Sequence, residues 1–190
     1  MRQEKKKNLR WNTMKILAVG FLGVILIGAV LLWLPICNEK PISFLDALFT
    51  STTSVCVTGL ITIVPKYQFT IVGKVVLLLL IQIGGLGIVA CVAAFFMIMR
   101  RKITLKERIV IQETYNMDSL GGLVGMVRRI LLGTLAVEGA GAVLYAIQFV
   151  PDFGLLKGIW YGVFHSVSAF CNAGIDILGE DSLAKYVTNL

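Results

Sequence analysis

Three apolar stretches, each 21 to 25 residues long, dominate this sequence. They cover Ile16–Ile36, Val75–Met99 and Ile130–Val150, and only the third contains a charged residue, Glu138. Because an α-helix rises about 1.5 Å per residue, each stretch is long enough to cross a hydrocarbon core of roughly 30 Å. With 57% hydrophobic and 15% charged residues, the chain of 190 residues is too apolar for an ordinary soluble domain. The sequence therefore predicts an all-α membrane protein with several spans.

The basic residues are unevenly distributed between these stretches. The net charge of +7 would suit a nucleic-acid partner, but six Lys or Arg precede the first stretch and seven lie between the second and third. Basic residues are enriched in the cytoplasmic segments of membrane proteins. We therefore predict a cytoplasmic basic N-terminus (residues 1–15) and a cytoplasmic loop (residues 100–129). The segments after the first and third stretches should lie on the outer side of the membrane.

A signal peptide is an alternative interpretation of the first apolar stretch. Ile16–Ile36 is longer than the apolar region of a signal peptide, and no small-x-small cleavage site follows, so we predict a retained helix.

The cysteines have neither CxxC spacing nor a histidine cluster, which argues against a disulfide framework or a metal site. We expect buried thiols with no cofactor at these four positions: Cys37, Cys56, Cys91 and Cys171.

The outer segment after the first stretch contains a further apolar run, Ile42–Val64, that polar residues interrupt. Ser43 and Asp46 form a capping-box pattern, which predicts a helix of about a dozen residues that ends before Val57-Thr58-Gly59. Such a helix is about half a bilayer long. Irregular backbone at membrane depth is tolerated only where protein or a water-filled cavity surrounds it. This pattern is typical of a re-entrant loop.

A similar segment recurs 115 residues later. Phe49–Leu60 (FTSTTSVCVTGL) aligns without a gap to Phe164–Ile175 (FHSVSAFCNAGI), with four identities in twelve positions. Each copy follows a long apolar stretch at nearly the same distance. Internal repeats are common in transporters, whose functional site lies between the repeats. We predict a repeated unit of helix, re-entrant pore helix with filter loop, and helix, spanning residues 16–99, and a second unit, residues 130–190, without its closing helix.

The residues at the ends of the two interrupted helices are suited to a dehydrated cation. A helix C-terminus carries the negative end of the dipole, and extended backbone can direct carbonyl oxygens along an axis. Glycine permits a positive φ and close approach, which makes Gly59 and Gly174 the expected filter residues. One such loop alone would equally fit an ordinary outer turn, whereas the matched pair favours a filter. The neighbouring carbonyls would come from Val55, Cys56, Val57 and Thr58, and from Phe170, Cys171, Asn172 and Ala173.

These motifs resemble the Trk/Ktr/HKT superfamily of potassium transporters, and most closely the N-terminal portion of the Ktr-type membrane subunit. Asp46–Ser51 with Ser54–Leu60 is similar to the first pore loop of that family, and Phe164–Gly174 is similar to its second. Gln82–Gly87 resembles its following helix, and Leu105–Arg108 its cytoplasmic loop. The resemblance implies potassium uptake through a channel-like pathway, with sodium as a candidate coupling ion, and no enzymatic activity.

The resemblance also implies an assembly. The family has four such units in one chain around a single pore, a homodimer of these chains, and a cytoplasmic nucleotide-binding regulatory subunit. The present sequence ends within the second unit, so we expect it to be a fragment that holds at most half of a filter. The family's gating loop belongs to a later unit, and its gating residues have no counterpart here.

Several other residues admit two interpretations. Glu138, in the middle of a span, could contact a cation pathway or a neighbouring helix, or serve as a hydrogen-bonded structural carboxyl. His165 is expected to be a packing group. The outer acids could concentrate cations or simply be solvated loop charges: Asp152, Asp176, Glu180 and Asp181. The GxGxxA match at Gly85–Ala90 lies inside an apolar span without a preceding strand, so close helix packing explains it better than a dinucleotide site.

A rival function from another class is a membrane-embedded enzyme or an assembly subunit. It would require Glu138 and His165 to act together, and their spacing gives no support for this. The basic 100–129 loop mixes apolar and charged residues in the manner of an interfacial helix. We expect its charges to determine topology rather than to form a dedicated docking site.

Overall fold

A computed structural model describes residues 2–99, 105–115, 122–179 and 182–186 of the chain. Within these ranges all regular structure is helical, apart from one isolated antiparallel bridge between Asn38 and Phe69. Two short 3-10 turns accompany the α-helices, at Pro35–Cys37 and Ala184–Tyr186. In chain order the α-helices are α1 (Arg2–Trp33), α2 (Phe44–Val55), α3 (Pro65–Gln68), α4 (Ile71–Leu86), α5 (Ile88–Ile98), α6 (Leu105–Thr114), α7 (Leu123–Phe153) and α8 (Leu155–Phe170).

Two of the described helices are long and apolar enough to cross a membrane, over Met14–Trp33 of α1 and Val124–Phe153 of α7. A third span is present if α4 and α5 are counted as one broken span. The predicted all-α membrane fold is therefore confirmed. The large apolar side chains that α1 and α7 leave exposed, such as Val19 and Leu144, are what a helix surrounded by lipid requires.

The second apolar stretch is not one continuous helix. α4 ends at Leu86, Gly87 has φ 82° and ψ 143°, and α5 begins at Ile88. That backbone conformation lies outside the helical region and is accessible to glycine, which has no Cβ. The uniform apolarity of Val75–Met99 hid this break, because hydropathy does not distinguish a helix from a bent pair of helices.

The chain forms two compact units. One unit contains residues Met1–Gly23 and Leu86–Leu135. Its core is formed by Val89 and Ala93 of α5, Ile111 of α6 and Val127 of α7, all nearly or fully buried. Part of the predicted cytoplasmic loop, residues 100–104 and 116–121, lies outside the described residues.

The other unit contains residues Val24–Gly85 and Ala136–Leu190 and carries both interrupted helices, α2 and α8. The predicted N-cap of α2 is confirmed: the Ser43 hydroxyl oxygen accepts a hydrogen bond from the Asp46 backbone N–H at 3.1 Å, and the Asp46 carboxylate accepts the Ser43 hydroxyl at 2.7 Å. α2 is 12 residues long, as the pattern predicted. A backbone hydrogen bond connects the segments before and after α2: Glu39 N–H donates to Gln68 O at 2.8 Å.

Candidate functional site: two interrupted helices and their loops

The loop after α2 turns sharply within four residues. α2 ends at Val55, and Cys56 keeps a nearly helical backbone at φ −83° and ψ −3°. Val57 then has φ 55°, and Gly59 has φ 76°. Two left-handed residues separated by one residue break the helix and redirect the backbone. The predicted end of this helix before Val57-Thr58-Gly59 is therefore confirmed.

The loop after α8 follows the same course. α8 ends at Phe170, Cys171 has φ −72° and ψ −6°, Asn172 has φ 61° and Gly174 has φ 65°. Each φ differs by 11° or less from that of the residue 115 positions earlier. The alignment of the two segments in the sequence thus extends to the backbone conformation of these three pairs of residues.

The same internal hydrogen bonds close both loops. Thr58 N–H donates to Thr53 O at 3.0 Å, and Ala173 N–H donates to Ser168 O at 2.8 Å. The hydroxyl groups of Thr53 and Ser168 form a further bond within each loop, to Leu60 N–H and Ile175 O respectively. These bonds connect the last turn of each helix to the loop that follows it and so help to hold the loop geometry.

Each interrupted helix is also attached to the long helix that precedes it. The Ser51 hydroxyl donates to Ile25 O of α1 at 2.7 Å, and the Ser166 hydroxyl donates to Glu138 O of α7 at 2.6 Å. Three residues after each acceptor, the long helix has a glycine at which a Cβ would overlap that serine hydroxyl. Sequence reasoning noted the identical serines as part of the repeat but missed their role in anchoring the helices.

The two loops contact each other. A Cβ built on Gly59 would lie 2.5 Å from the carbonyl oxygen of Ala173 and 3.8 Å from the Cα of Gly174. The glycine of the first loop is therefore adjacent to the backbone of the second. The structure brings together the parts of the two loops that the sequence analysis named as filter residues.

Comparison with known proteins identifies the family. A family model described as a cation transport protein of the TrkH type matches residues 2–190. The chain belongs to the TrkH cation transport family. The resemblance found from the pore-loop motifs is thereby confirmed, and with it the cation transport class.

Three curated relatives match nearly the whole chain. The Ktr system potassium uptake protein B of Bacillus subtilis is 42% identical over 190 residues, which cover 98% of this chain and 42% of that protein. The potassium/sodium uptake protein NtpJ of Enterococcus hirae is 40% identical and is covered to 41%, and the Ktr system potassium uptake protein B of Vibrio alginolyticus is 34% identical and is covered to 40%. The chain thus spans about two-fifths of the length of these relatives.

In this TrkH-family chain, both loops begin at the C-terminal end of a helix. Among the described residues, no group of three or more His, Cys, Asp or Glu side chains could hold a metal ion. The negative dipole ends of α2 and α8 are at Val55 and Phe170, where the loops begin. Carbonyl oxygens at a helix C-terminus are the hard, neutral ligands that an alkali cation accepts in place of water.

Glu138 is almost fully buried and joins three helices. Its Oε1 accepts a hydrogen bond from Gln82 Nε2 of α4 at 2.9 Å, and its backbone oxygen accepts the Ser166 hydroxyl of α8. These contacts favour the inter-helix interpretation of Glu138. His165 is also buried and lies among aromatic rings, 5.3 Å from Phe149 between ring centroids, as expected for a packing group.

The outer acids that the structure describes have structural partners. Asp176 Oδ1 accepts the backbone N–H groups of Leu178 at 3.0 Å and Gly179 at 3.3 Å. Asp152 accepts the Tyr186 hydroxyl at 2.8 Å, and burial together with this carboxylate raises the pKa of Tyr186 to about 12. The Asp176 carboxylate therefore closes a local turn, and the Asp152 carboxylate connects α7 to the Ala184–Tyr186 segment. Glu180 and Asp181 lie outside the described residues.

The contacts of α4 were only partly expected. The Gly85–Ala90 segment was interpreted as a site of close helix packing, but the sequence did not indicate what Gly85 packs against and assigned no packing role to Gly84. A Cβ on Gly84 would overlap the carbonyl oxygen of Val55, and a Cβ on Gly85 would overlap the Cys171 side chain. One helix therefore touches both candidate filter loops. The Gly-Gly pair was the available signal, and only the fold identifies its two neighbours.

Proposed function

We propose that this chain forms part of a potassium uptake pathway in which backbone carbonyls of the two loops replace the hydration shell of the ion. The observation that carries the proposal is the matched pair of left-handed turns that meet at Gly59 and Ala173. Two equivalent loops in contact can contribute carbonyl groups from both helix ends to one site, which one surface turn could not do. The names of the relatives, which specify potassium or potassium/sodium uptake, support the same ion class.

The proposed filter consists of backbone atoms from nine residues. They are Val55, Cys56, Val57, Thr58 and Gly59 in the first loop and Cys171, Asn172, Ala173 and Gly174 in the second. Their shared features support this assignment: all lie at or directly after the C-terminal end of a helix, and the φ angles of Cys56, Val57 and Gly59 recur 115 residues later. The anchoring bonds of Ser51 and Ser166 add support, because they hold both interrupted helices in the same way.

We extend the proposal to the repeat and the topology. The repeated unit of helix, interrupted helix, loop and helix is supported by the serine bonds, whose acceptors Ile25 and Glu138 are 113 residues apart. We propose a bacterial plasma membrane location with the N-terminus in the cytoplasm, on the basis of the basic residues. The domain boundaries given above, at residues 15, 99 and 129, belong to the same proposal.

The resemblance and the names of the relatives lead us to propose partners as well. Three of the matched relatives are components of a Ktr system, B or D. We propose that the present protein functions with a cytoplasmic nucleotide-binding regulatory subunit, as a homodimer of the full-length chain, with sodium as the candidate coupling ion. The activity proposed is transport without covalent chemistry.

Replacement of Gly59 by serine tests the filter. A side chain at φ 76° is strained, and its Cβ would lie 2.5 Å from the Ala173 oxygen, so the two loops would have to separate. Strain at such a site is about 1–3 kcal/mol, and the lower half of this range corresponds to roughly a 5- to 30-fold change in an equilibrium constant. We expect Gly59→Ser in the full-length native protein to lower the preference for K⁺ over Na⁺ by about tenfold, as measured by uptake in a transport-deficient strain.

Gly139→Ser provides the matched control. A Cβ on Gly139 meets no described atom within 4 Å, and this residue is an exposed part of α7. This variant should keep the parental uptake and ion preference. If Gly59→Ser is inserted into the membrane in normal amounts and also keeps the parental ion preference, the filter assignment is wrong.

A further inference from the structure

The last turn of α4 contacts both loops at positions other than the point where the loops meet each other. At Gly84, an added Cβ would overlap the Val55 carbonyl oxygen of the first loop and would lie 3.0 Å from a Val57 methyl group. At Gly85, it would overlap the Cys171 side chain and lie 3.1 Å from the Cys171 Cα. Consecutive residues on a helix point about 100° apart, so the two glycines present different faces to different loops.

The close contact at Gly84 leaves no space for a larger residue. The overlapping atom is a main-chain oxygen at the C-terminus of α2, which cannot rotate away as a flexible side chain can. An added methyl group would therefore displace either α4 or the loop itself. At Gly85 the overlapping atoms are mainly those of a side chain, so the contact depends on the identity of residue 171 as well as on the backbone.

A hydrogen bond two residues earlier holds α4 in place. The Gln82 amide donates to the Glu138 carboxyl group of α7 at 2.9 Å, and the Glu138 backbone oxygen accepts the hydroxyl of Ser166 in α8. α4 is thus connected through one buried residue to the same helix that carries the second loop. Rotation or sliding of α4 would break this bond and would also move Gly84 and Gly85 relative to their loops.

We propose that Gly84 and Gly85 are positioning residues that set the separation of the two loops, with Gln82 and Glu138 fixing the helix that carries them. This inference rests on the proposed function, because it assumes that the loop backbones bind the ion. A helix that provides no ligand of its own then determines ion preference. Its two glycines act as spacers of minimal thickness, one against each loop.

Alanine at each glycine is the direct test, with Gly139→Ala as a control that adds the same methyl group to an exposed helical site. The native chain is expressed in a transport-deficient strain, and uptake is measured for K⁺ and Na⁺ over a range of concentrations. For Gly84→Ala and Gly85→Ala we expect the ratio of the apparent KM values for the two ions to change on the order of fivefold. Gly139→Ala should keep the parental ratio.

A rescue experiment distinguishes the two contacts. In a Cys171→Gly background the atoms that a methyl group at position 85 would overlap are largely removed, so Gly85→Ala should change the ion preference much less than it does in the parent. In a Val55→Ala background the main-chain oxygen remains, so the effect of Gly84→Ala should persist. Equal effects of Gly85→Ala with and without Cys171 would overturn the proposed contact.

If the alanine variants give no folded protein, Gln82→Met decides the question. This substitution removes the hydrogen bond to Glu138 and adds no bulk against either loop. A shift in ion preference supports the proposal, and an unchanged preference overturns it. The outcome is separable from the filter assignment: if Gly59→Ser alters ion preference while the α4 variants change only the amount of folded protein, the filter stands and the spacer role is wrong.

Discussion

At the scale of single residues, the two loops form the same left-handed turn with different side chains. The position after each helix cap is left-handed, with φ 55° at Val57 and φ 61° at Asn172. Asparagine tolerates this conformation, whereas a β-branched residue is strained in it by about 1–2 kcal/mol. The bond from Thr58 N–H to Thr53 O helps to hold the strained turn. The turn at Gly59 and the N-cap at Ser43 could be predicted from sequence. The positive φ of Val57 could not, because a β-branched residue rarely adopts this conformation.

This difference predicts the effect of exchanging the residue types. Asn172→Val should lower the free energy of unfolding by about 1 kcal/mol, because the exposed side chain of Asn172 contributes little packing and the left-handed conformation is retained. Asn172→Gly should be closer to the parent, since glycine adopts a positive φ without strain. Thermal unfolding of the purified protein in detergent measures both. A valine variant as stable as the glycine variant would show that the turn is not strained.

At the scale of helices, hydropathy predicted the long elements well and their interruptions poorly. α1 and α7 were expected from uniform apolar stretches, and α2 from a capping pattern. The break between α4 and α5 was missed because Gly87 lies within apolar residues on both sides and is only one of three glycines in the Gly84–Gly87 segment. Hydropathy indicates which segments can lie in lipid. Whether the helix continues through such a segment depends on the backbone conformation of one residue, here the positive φ of Gly87.

The attachment of α4 to α7 gives a prediction at this scale. Glu138→Gln keeps an oxygen that can accept the Gln82 amide, so uptake should be normal and stability should change little. Glu138→Leu leaves that amide without its acceptor at a largely buried site and should lower the free energy of unfolding by about 1–3 kcal/mol. The two variants differ little in size, so their comparison isolates the hydrogen bond. Loss of uptake in a stably folded Glu138→Gln variant would instead favour a role in the cation pathway.

At the scale of the whole molecule, most of the basic residues belong to one of the two compact units. Residues Met1–Gly23 and Leu86–Leu135 form one unit and carry 13 of the 18 Lys and Arg. The ranges of the other unit carry both candidate loops and only five basic residues. The fold class and the family could be predicted from composition and motifs. The contacts between the two loops could not, because they join residues more than 100 positions apart in the chain.

The charge distribution predicts which segments an external reagent can reach. Lys40 is exposed in the segment between α1 and α2, and Thr114 is exposed at the end of α6. With the basic segments in the cytoplasm, a membrane-impermeant maleimide applied to intact cells should label Lys40→Cys, whereas Thr114→Cys should be labelled only after permeabilisation. The expectation that all four thiols are buried is wrong for Cys56, which is exposed, and Cys91 is only partly buried. The cysteine variants are therefore made in a Cys56→Ala background. Cys37 and Cys171 are buried, and burial raises the pKa of the Cys37 thiol, which lowers its reactivity. Labelling of Thr114→Cys in intact cells would reverse the proposed topology.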